Sequence, residues 1–154
     1  MTAPLDEIDL RMLDALSQDA RVSMRALAER LHISRASAYA RLDRLKDNGV
    51  VRGFRVDVDP VKCGLGTTAY VTLNLNQADW RDMRNRLLAL EGVAHFSFVG
   101  GEFDVVLLVR ARDNAGLRRI ILDDIQTMPG VQSTRTLLVF EEHTPVPRLT
   151  DRIS

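Results

Sequence analysis

Beyond residue 67 the chain repeats itself, and that repeat restricts the fold more than any other feature. From Ala69 to Leu75, Val71, Leu73 and Leu75 alternate with Thr72 and Asn74, the pattern of a half-buried strand. A helix over 79–91 puts Trp80, Met83, Leu87 and Leu90 on one face, Gly92 stops it, and a strand follows over 93–99. The second copy has a strand over 103–111 and a helix near 114–128 that aligns Leu117, Ile121, Ile125 and Met128. Pro129-Gly130 ends that helix, and the last strand runs over 131–141. Gly-Val pairs at 92–93 and 130–131 sit at matching places in the two halves. Two strand-helix-strand units in tandem predict an α+β domain of ferredoxin-like βαββαβ type. Its central strand is apolar on both sides, with Val105, Leu107 and Val109 facing one way and Val106 and Leu108 the other. Helices cover one face, so the second needs a cover. A second copy of the chain supplies it as a symmetric dimer; the N-terminal region or the tail is the alternative.

The first third reads as three helices. Ile8, Met12, Leu13 and Leu16 share one helical face. Ser23 caps a short second helix that turns Leu27 and Leu31 inward and ends near His32, with Ile33 plugging the turn. Ser34 caps a third helix from Arg35 to about Asn48, with Ala38, Leu42 and Leu45 inward and Gly49 as its C-terminal stop. Charge is uneven across this region. Seven basic and two acidic residues lie between Arg30 and Arg55, a net of +5, whereas residues 1–29 hold three basic and six acidic ones, a net of −3. The whole chain is neutral. A local basic stripe on the second helix of a helix-turn-helix points to double-stranded DNA as partner. The outward residues at the start of that helix are Arg35, Ala36, Ser37, Tyr39 and Ala40. Arg35 is the residue for a bidentate contact to guanine, and Ala36 for a thymine methyl. Arg41 and Arg44 are expected on phosphates, and Ser34 both caps the helix and meets a phosphate at its N-terminus. A solvated helix face on a plain three-helix bundle is the alternative.

Other classes of function find little in the residues. The 154 residues are 45% apolar and 27% charged, which suits a folded chain rather than a disordered one. The longest apolar run, Val105–Val109, is far short of the roughly 20 residues of a membrane helix. No basic-then-apolar leader opens the chain, and the lone Cys63 fits a reducing cytoplasm. His32, His95 and His143 lack metal-ligand spacing, no phosphate-binding glycine loop with its lysine occurs, and Asp123-Asp124 and Glu141-Glu142 are adjacent acids that diverge on regular elements. Neither catalytic nor metal residues are expected, and no cofactor.

Leu5-Asp6-Glu7-Ile8-Asp9, Leu13, Leu16, Asp19-Ala20-Arg21, Leu27-Ala28, Leu31, the Ser34-x6-Arg41 spacing, Leu45 and Gly49-Val50-Val51 together resemble the leucine-responsive Lrp/AsnC family of transcription regulators. The match runs from Leu5 to about Glu142; Ala38 departs from it, standing where the family has a larger aliphatic residue. The resemblance implies a winged-type helix-turn-helix over 1–52, a linker strand and hinge over 53–66, a ferredoxin-like effector and oligomerisation domain over 67–142 and a tail over 143–154. Within the linker, Phe54, Val56 and Val58 alternate with Arg55, Asp57 and Asp59 as a half-buried strand closed by Pro60.

In the loop between the middle strands, Gly100 and Gly101 offer N–H groups to a carboxylate, and Asp104 offers its charge to an ammonium group. On the residues alone, Gly100-Gly101-Glu102-Phe103-Asp104 reads first as a plain glycine hairpin. By resemblance the loop corresponds to the family's Gly-x-Tyr-Asp effector element, matched by Gly101, Phe103 and Asp104 with Phe for Tyr. Ser133, Thr134 and Thr136 would lie beside it. The resemblance also implies dimers associating as far as octamers, an amino-acid effector and a place on the bacterial or archaeal nucleoid. Two other readings stay open here: a ligand-independent architectural DNA-binding protein, and an enzyme or metabolite-binding dimer whose helical domain is only a structural appendage.

Overall fold

The computed structural model describes residues 4–76, 80–146 and 148–152. The chain divides into two compact units, one built from the chain up to Asp57 together with the segment from His143 onward, the other from Val58 to Glu142.

Three helices, α1 (Glu7–Gln18), α2 (Met24–Leu31) and α3 (Arg35–Asp47), make the first unit. Each begins on a side-chain cap. Asp6 and Asp9 form a reciprocal capping box on α1, Ser23 accepts from the Ala26 amide, and Ser34 accepts from the Ser37 amide. Helix α2 stops at His32, whose φ of 55° is left-handed, and α3 stops before Gly49 at φ 70°. At the first of these ends the Ile33 amide donates to Ala28 O, the six-to-one bond of a Schellman end, and at the second the Gly49 amide donates to Lys46 O and the Val51 amide to Leu45 O. Met12, Leu27, Ala38 and Leu45 form the centre of the core, with Ile8, Ile33 and Leu42 packed against it. Leu149 joins the same core, because Asp14 on α1 accepts hydrogen bonds from the Leu149 amide (2.6 Å), the Thr150 amide (3.1 Å) and the Thr150 hydroxyl (2.7 Å).

In the second unit the order is β1 (Thr67–Leu75), α4 (Trp80–Ala89), β2 (Val93–Phe98), β3 (Val105–Ala111), α5 (Asn114–Arg119) and β4 (Val131–Leu138). The four strands form one antiparallel sheet in the order β2-β3-β1-β4, as the repeat predicts for a ferredoxin-like domain. Val71, Leu73, Val105, Leu107 and Val109 are buried in one core with Met83 and Leu87 of α4 and Leu117 of α5. Strand alternation sends Tyr70, Thr72, Asn74, Val106 and Leu108 to the other face, with Arg135 and Ser133 of β4 beside them in register. Tyr70 and Leu137 remain exposed there.

Two elements differ from the sequence reading. The helix expected over 114–128 is α-helical only to Arg119; Ile120–Ile125 is a π-helical turn closed by Gln126 N–H to Ile121 O at 2.9 Å. The wider turn carries Ile120, Ile121 and Ile125 into the core together. The strand expected over 53–59 does not form. A strand requires a neighbouring backbone to pair with, and this segment has none within its own chain among the described residues. Phe54, Val56 and Val58 are exposed, Val56 to 84%. The hinge itself is a compact turn in which Asp59 Oδ1 accepts the Val61 and Lys62 amides.

Candidate DNA-recognition helix and ligand cavity

Helix α3 has two halves with different tasks. Its start presents Ser34, Arg35, Ala36, Tyr39 and Ala40 to solvent, with Ser37 partly covered and Ala38 fully buried behind them. The short side chains at 36, 37 and 40 let a partner surface come close beside Arg35 and Tyr39. Arg35 projects from the first turn, the position from which a recognition helix reaches base edges.

In the second half, two arginines turn toward α1 while Asp43, Lys46 and Asp47 stay exposed. Arg41 Nη1 bonds Asp6 Oδ2 at 2.6 Å and Asp9 Oδ1 at 2.8 Å, and Arg44 Nη2 bonds both oxygens of Asp9 at 2.7 Å. The Asp9 side chain is 1% exposed. Burial alone would raise its pKa, but hydrogen bonds from Arg44, the Asp6 amide and Arg41 outweigh that and hold the carboxyl below its ordinary range. Asp6 is lowered chiefly by Arg41, and Arg41 is raised chiefly by Asp6. Arg41 and Arg44, expected on phosphates, are thus both ion-paired to α1, with side chains 22% and 36% exposed. Their charge was legible in the sequence, but the contact spans 32 to 35 residues, and only folding discloses it.

On the helix-free face of the sheet, the loop between β2 and β3 reaches over β1 to β4. The Asp104 amide donates to Leu73 O on β1. The Phe103 ring lies 5.4 Å from the Arg135 guanidinium, and Arg135 is 3.6 Å from Glu102. Beneath the loop is a cavity of about 210 Å³. Of the sequence-expected residues, Glu102, Phe103, Ser133 and Thr134 line it, joined by Thr72, Asn74 and Arg135. Gly100, Gly101, Asp104 and Thr136 do not. Asp104 Oδ2 instead accepts the Leu75 amide at 2.7 Å, finishing β1, so the carboxylate assigned to an ammonium group already has a structural partner. Thr136 pairs in register with Val71, and so points to the helix side. Thr72 and Asn74 were visible in the sequence as the polar half of a strand alternation; what the sequence withheld was that their face is roofed by the loop. No group of His, Cys, Asp and Glu suited to a metal occurs among the described residues, and no described helix is long and apolar enough to cross a membrane.

Residues 5–52 match a family model described as a winged helix-turn-helix DNA-binding domain, and residues 68–149 match the Lrp/AsnC ligand binding domain. The chain belongs to the Lrp/AsnC family. The HTH-type transcriptional regulator AldR of Mycobacterium tuberculosis is 36% identical over 142 residues, covering 90% of this chain and 79% of AldR. The proline dehydrogenase transcriptional activator of Rhizobium radiobacter is 32% identical, covering 91% and 92%. AsnC of Escherichia coli superposes with a TM-score of 0.83 at 27% identity, covering 94% of this chain and all of that one. Lrp/AsnC proteins are DNA-binding transcriptional regulators with a ligand-binding domain, not enzymes, and this assigns the two halves of the chain. The exposed start of α3 belongs to the DNA-binding half, and the roofed cavity to the ligand-binding half.

The clamp makes the first unit acid-sensitive. Asp6, Asp9 and Asp14 all have lowered pKa values; for Asp14 the Leu149 and Thr150 hydrogen bonds overcome the cost of burial. Carboxyls lowered on folding stabilise above their ordinary value of 3.8, and that stabilisation is lost as pH falls through the folded values. Melting followed by circular dichroism from pH 7 to pH 2 should show stability declining below about pH 4. Asp9→Asn should cost about 3 kcal/mol at pH 7, the lower end for a broken buried pair because both arginines keep some water, and should flatten the acid decline. An unchanged melting curve would contradict the clamp.

Proposed function

We propose that this Lrp/AsnC protein is a sequence-specific DNA-binding regulator, working as a homodimer that associates further, whose sheet-face cavity takes an amino acid or related metabolite. The observation that carries the reading is the division of α3: a clamped second half fixes the helix, and an exposed first half offers Arg35 and Ala36 to base edges. Phosphate contacts then fall to the Ser34 end of the helix rather than to Arg41 and Arg44. Binding DNA requires no cofactor in this scheme, and the place of action is chromosomal DNA in the cytoplasm, at the nucleoid.

Two surfaces favour the dimer. One is the helix-free face of the sheet, with Tyr70 and Leu137 exposed around Val106 and Leu108. The other is the linker, whose sequence is complementary to itself. In an antiparallel pair of linkers centred on Val56, Phe54 meets Val58 on one face, and Arg55 meets Asp57 on the other. This pairing would supply the neighbour that residues 53–59 need to become the strand their alternation predicts. Two recognition helices then address half-sites about one helical turn, roughly 34 Å, apart. Ligand control follows by linkage: a metabolite that favours one assembly changes how many recognition helices act together, and equal affinity for all assemblies would change nothing.

Arg35→Ala should weaken binding to a selected operator by about 1–3 kcal/mol and relax discrimination at one base position, read by fluorescence anisotropy across duplex variants. Arg44→Ala should lower thermal stability while leaving the salt dependence of binding unchanged; a salt slope reduced by about one would return Arg44 to the phosphates. Val56→Asp should shift light scattering toward monomer, since it sets two carboxylates against each other at the centre of the linker pair. An oligomer unchanged by this substitution would remove the linker from the interface.

A further inference from the structure

Two of the residues that line the cavity under the β2–β3 loop carry polar atoms that the chain leaves unused. Thr72 is 4% exposed, yet its Oγ1 has no hydrogen-bond partner, and neither does the buried Oδ1 of Asn74. Both lie on β1, between Val71, Leu73 and Leu75, where an aliphatic residue would satisfy the strand at no polar cost. Buried polar groups in folded proteins are nearly always paired, and each one left unpaired destabilises the fold. Two such atoms on neighbouring residues of one cavity lining point to a partner from outside the chain.

The mouth of the cavity limits what that partner is. Glu102 and Arg135 stand 3.6 Å apart with side chains 70% and 63% exposed, and Phe103 steadies the guanidinium through its ring face. One charge of each sign at the rim fits the ammonium and carboxylate of a zwitterion. A volume of about 210 Å³ is below the roughly 300–1,000 Å³ of pockets for drug-sized ligands, so a nucleotide is too large and a single amino acid is of the right order. With the charged ends held at the rim, the remaining part of the ligand points toward Thr72 and Asn74.

We propose that Thr72 and Asn74 are the selectivity residues of this cavity, and that its ligand is an amino acid whose side chain carries a hydrogen-bond donor, in preference to an aliphatic one. The proposal rests on the reading that the cavity is the ligand site. A donor on the side chain reaches Asn74 Oδ1, and the Thr72 hydroxyl gives or takes a second bond. An aliphatic side chain leaves both atoms as they are in the ligand-free chain, buried and unpaired, whereas a donor gains the hydrogen bonds they lack.

The test is binding of single amino acids to the full chain by calorimetry and thermal shift. The polar probes are L-Asn, L-Gln, L-Ser, L-Thr and L-Lys; the aliphatic ones are L-Leu, L-Ile, L-Val and L-Met. A polar probe should bind at least roughly tenfold more tightly than any aliphatic one. Thr72→Val and Asn74→Leu should each erase most of that difference, and Thr72→Ser should keep it. Thr72→Val should also raise the melting temperature of the ligand-free protein, since it removes an unpaired buried hydroxyl. Preference for an aliphatic probe, unchanged affinity in both variants, or a lowered ligand-free melting temperature in Thr72→Val would overturn the proposal. So would variants that weaken self-association and leave ligand binding intact, because the two atoms would then serve a partner protomer. Arg135→Ala and Glu102→Gln separate the two levels. Tight binding that neither affects places the ligand elsewhere and removes the cavity reading itself, whereas binding that both weaken, with Thr72 and Asn74 indifferent, removes the selectivity assignment alone. No binding by any probe overturns both.

Discussion

A buried carboxylate between two guanidinium groups sets the geometry of the DNA-binding half. Asp9 lies in the first turn of α1, and through Arg41 and Arg44 it fixes the rotation of α3 about its own axis. Were those arginines unpaired, the inner side of α3 would be held by the apolar contacts of Ala38, Leu42 and Leu45. Ala38 is small for a position at the centre of a core, and the ion pairs supply directional restraint that a methyl group cannot. The consequence for recognition is a division of labour. Charge is spent inside the fold, and the surface left for DNA is short-chained, with Arg35 as the one guanidinium on its first turn.

The ligand-binding half obeys a different constraint. Strands β1 and β3 are central in the sheet, and each is asked to satisfy two faces. The helix side is a dry, close-packed layer of Val and Leu under α4 and α5. Gly92 at φ 89° permits the closest approach there: a side chain at that position would sit 2.7 Å from Ile120 Cδ1. The other side mixes apolar residues with Thr72, Asn74, Ser133 and Arg135, and the loop carrying Phe103 folds over only part of it. That uneven cover leaves a small cavity beside a broader apolar surface on the same face.

Much of this was legible in the residues. Ser23, Ser34 and Gly49 announce helix ends through backbone hydrogen bonds that depend on near neighbours, and each does in the structure what its spacing implies. The paired Gly-Val steps located both halves of the ferredoxin-like domain for the same reason. Distant contacts were not legible. Arg41 and Arg44 read as surface cations because Asp9 is more than thirty residues away, and Asp104 read as a ligand for ammonium because its bond to the Leu75 amide depends on sheet register. Phe54, Val56 and Val58 carry a genuine strand alternation, yet a strand is a property of two backbones, and one chain brings only the first. The π-helical turn at Ile120–Ile125 was hidden because the same isoleucines suit an α-helical face almost as well.

The central claim is that the exposed first half of α3 reads DNA sequence from a symmetric assembly. The most direct measurement is selection of bound duplexes from a random pool by the full-length protein, followed by sequencing. The account predicts an enriched motif with two related half-sites separated by about one helical turn, roughly 34 Å. Retention of duplexes without any enriched motif, and with affinity governed by salt alone, would contradict it and leave a protein that holds DNA without reading it.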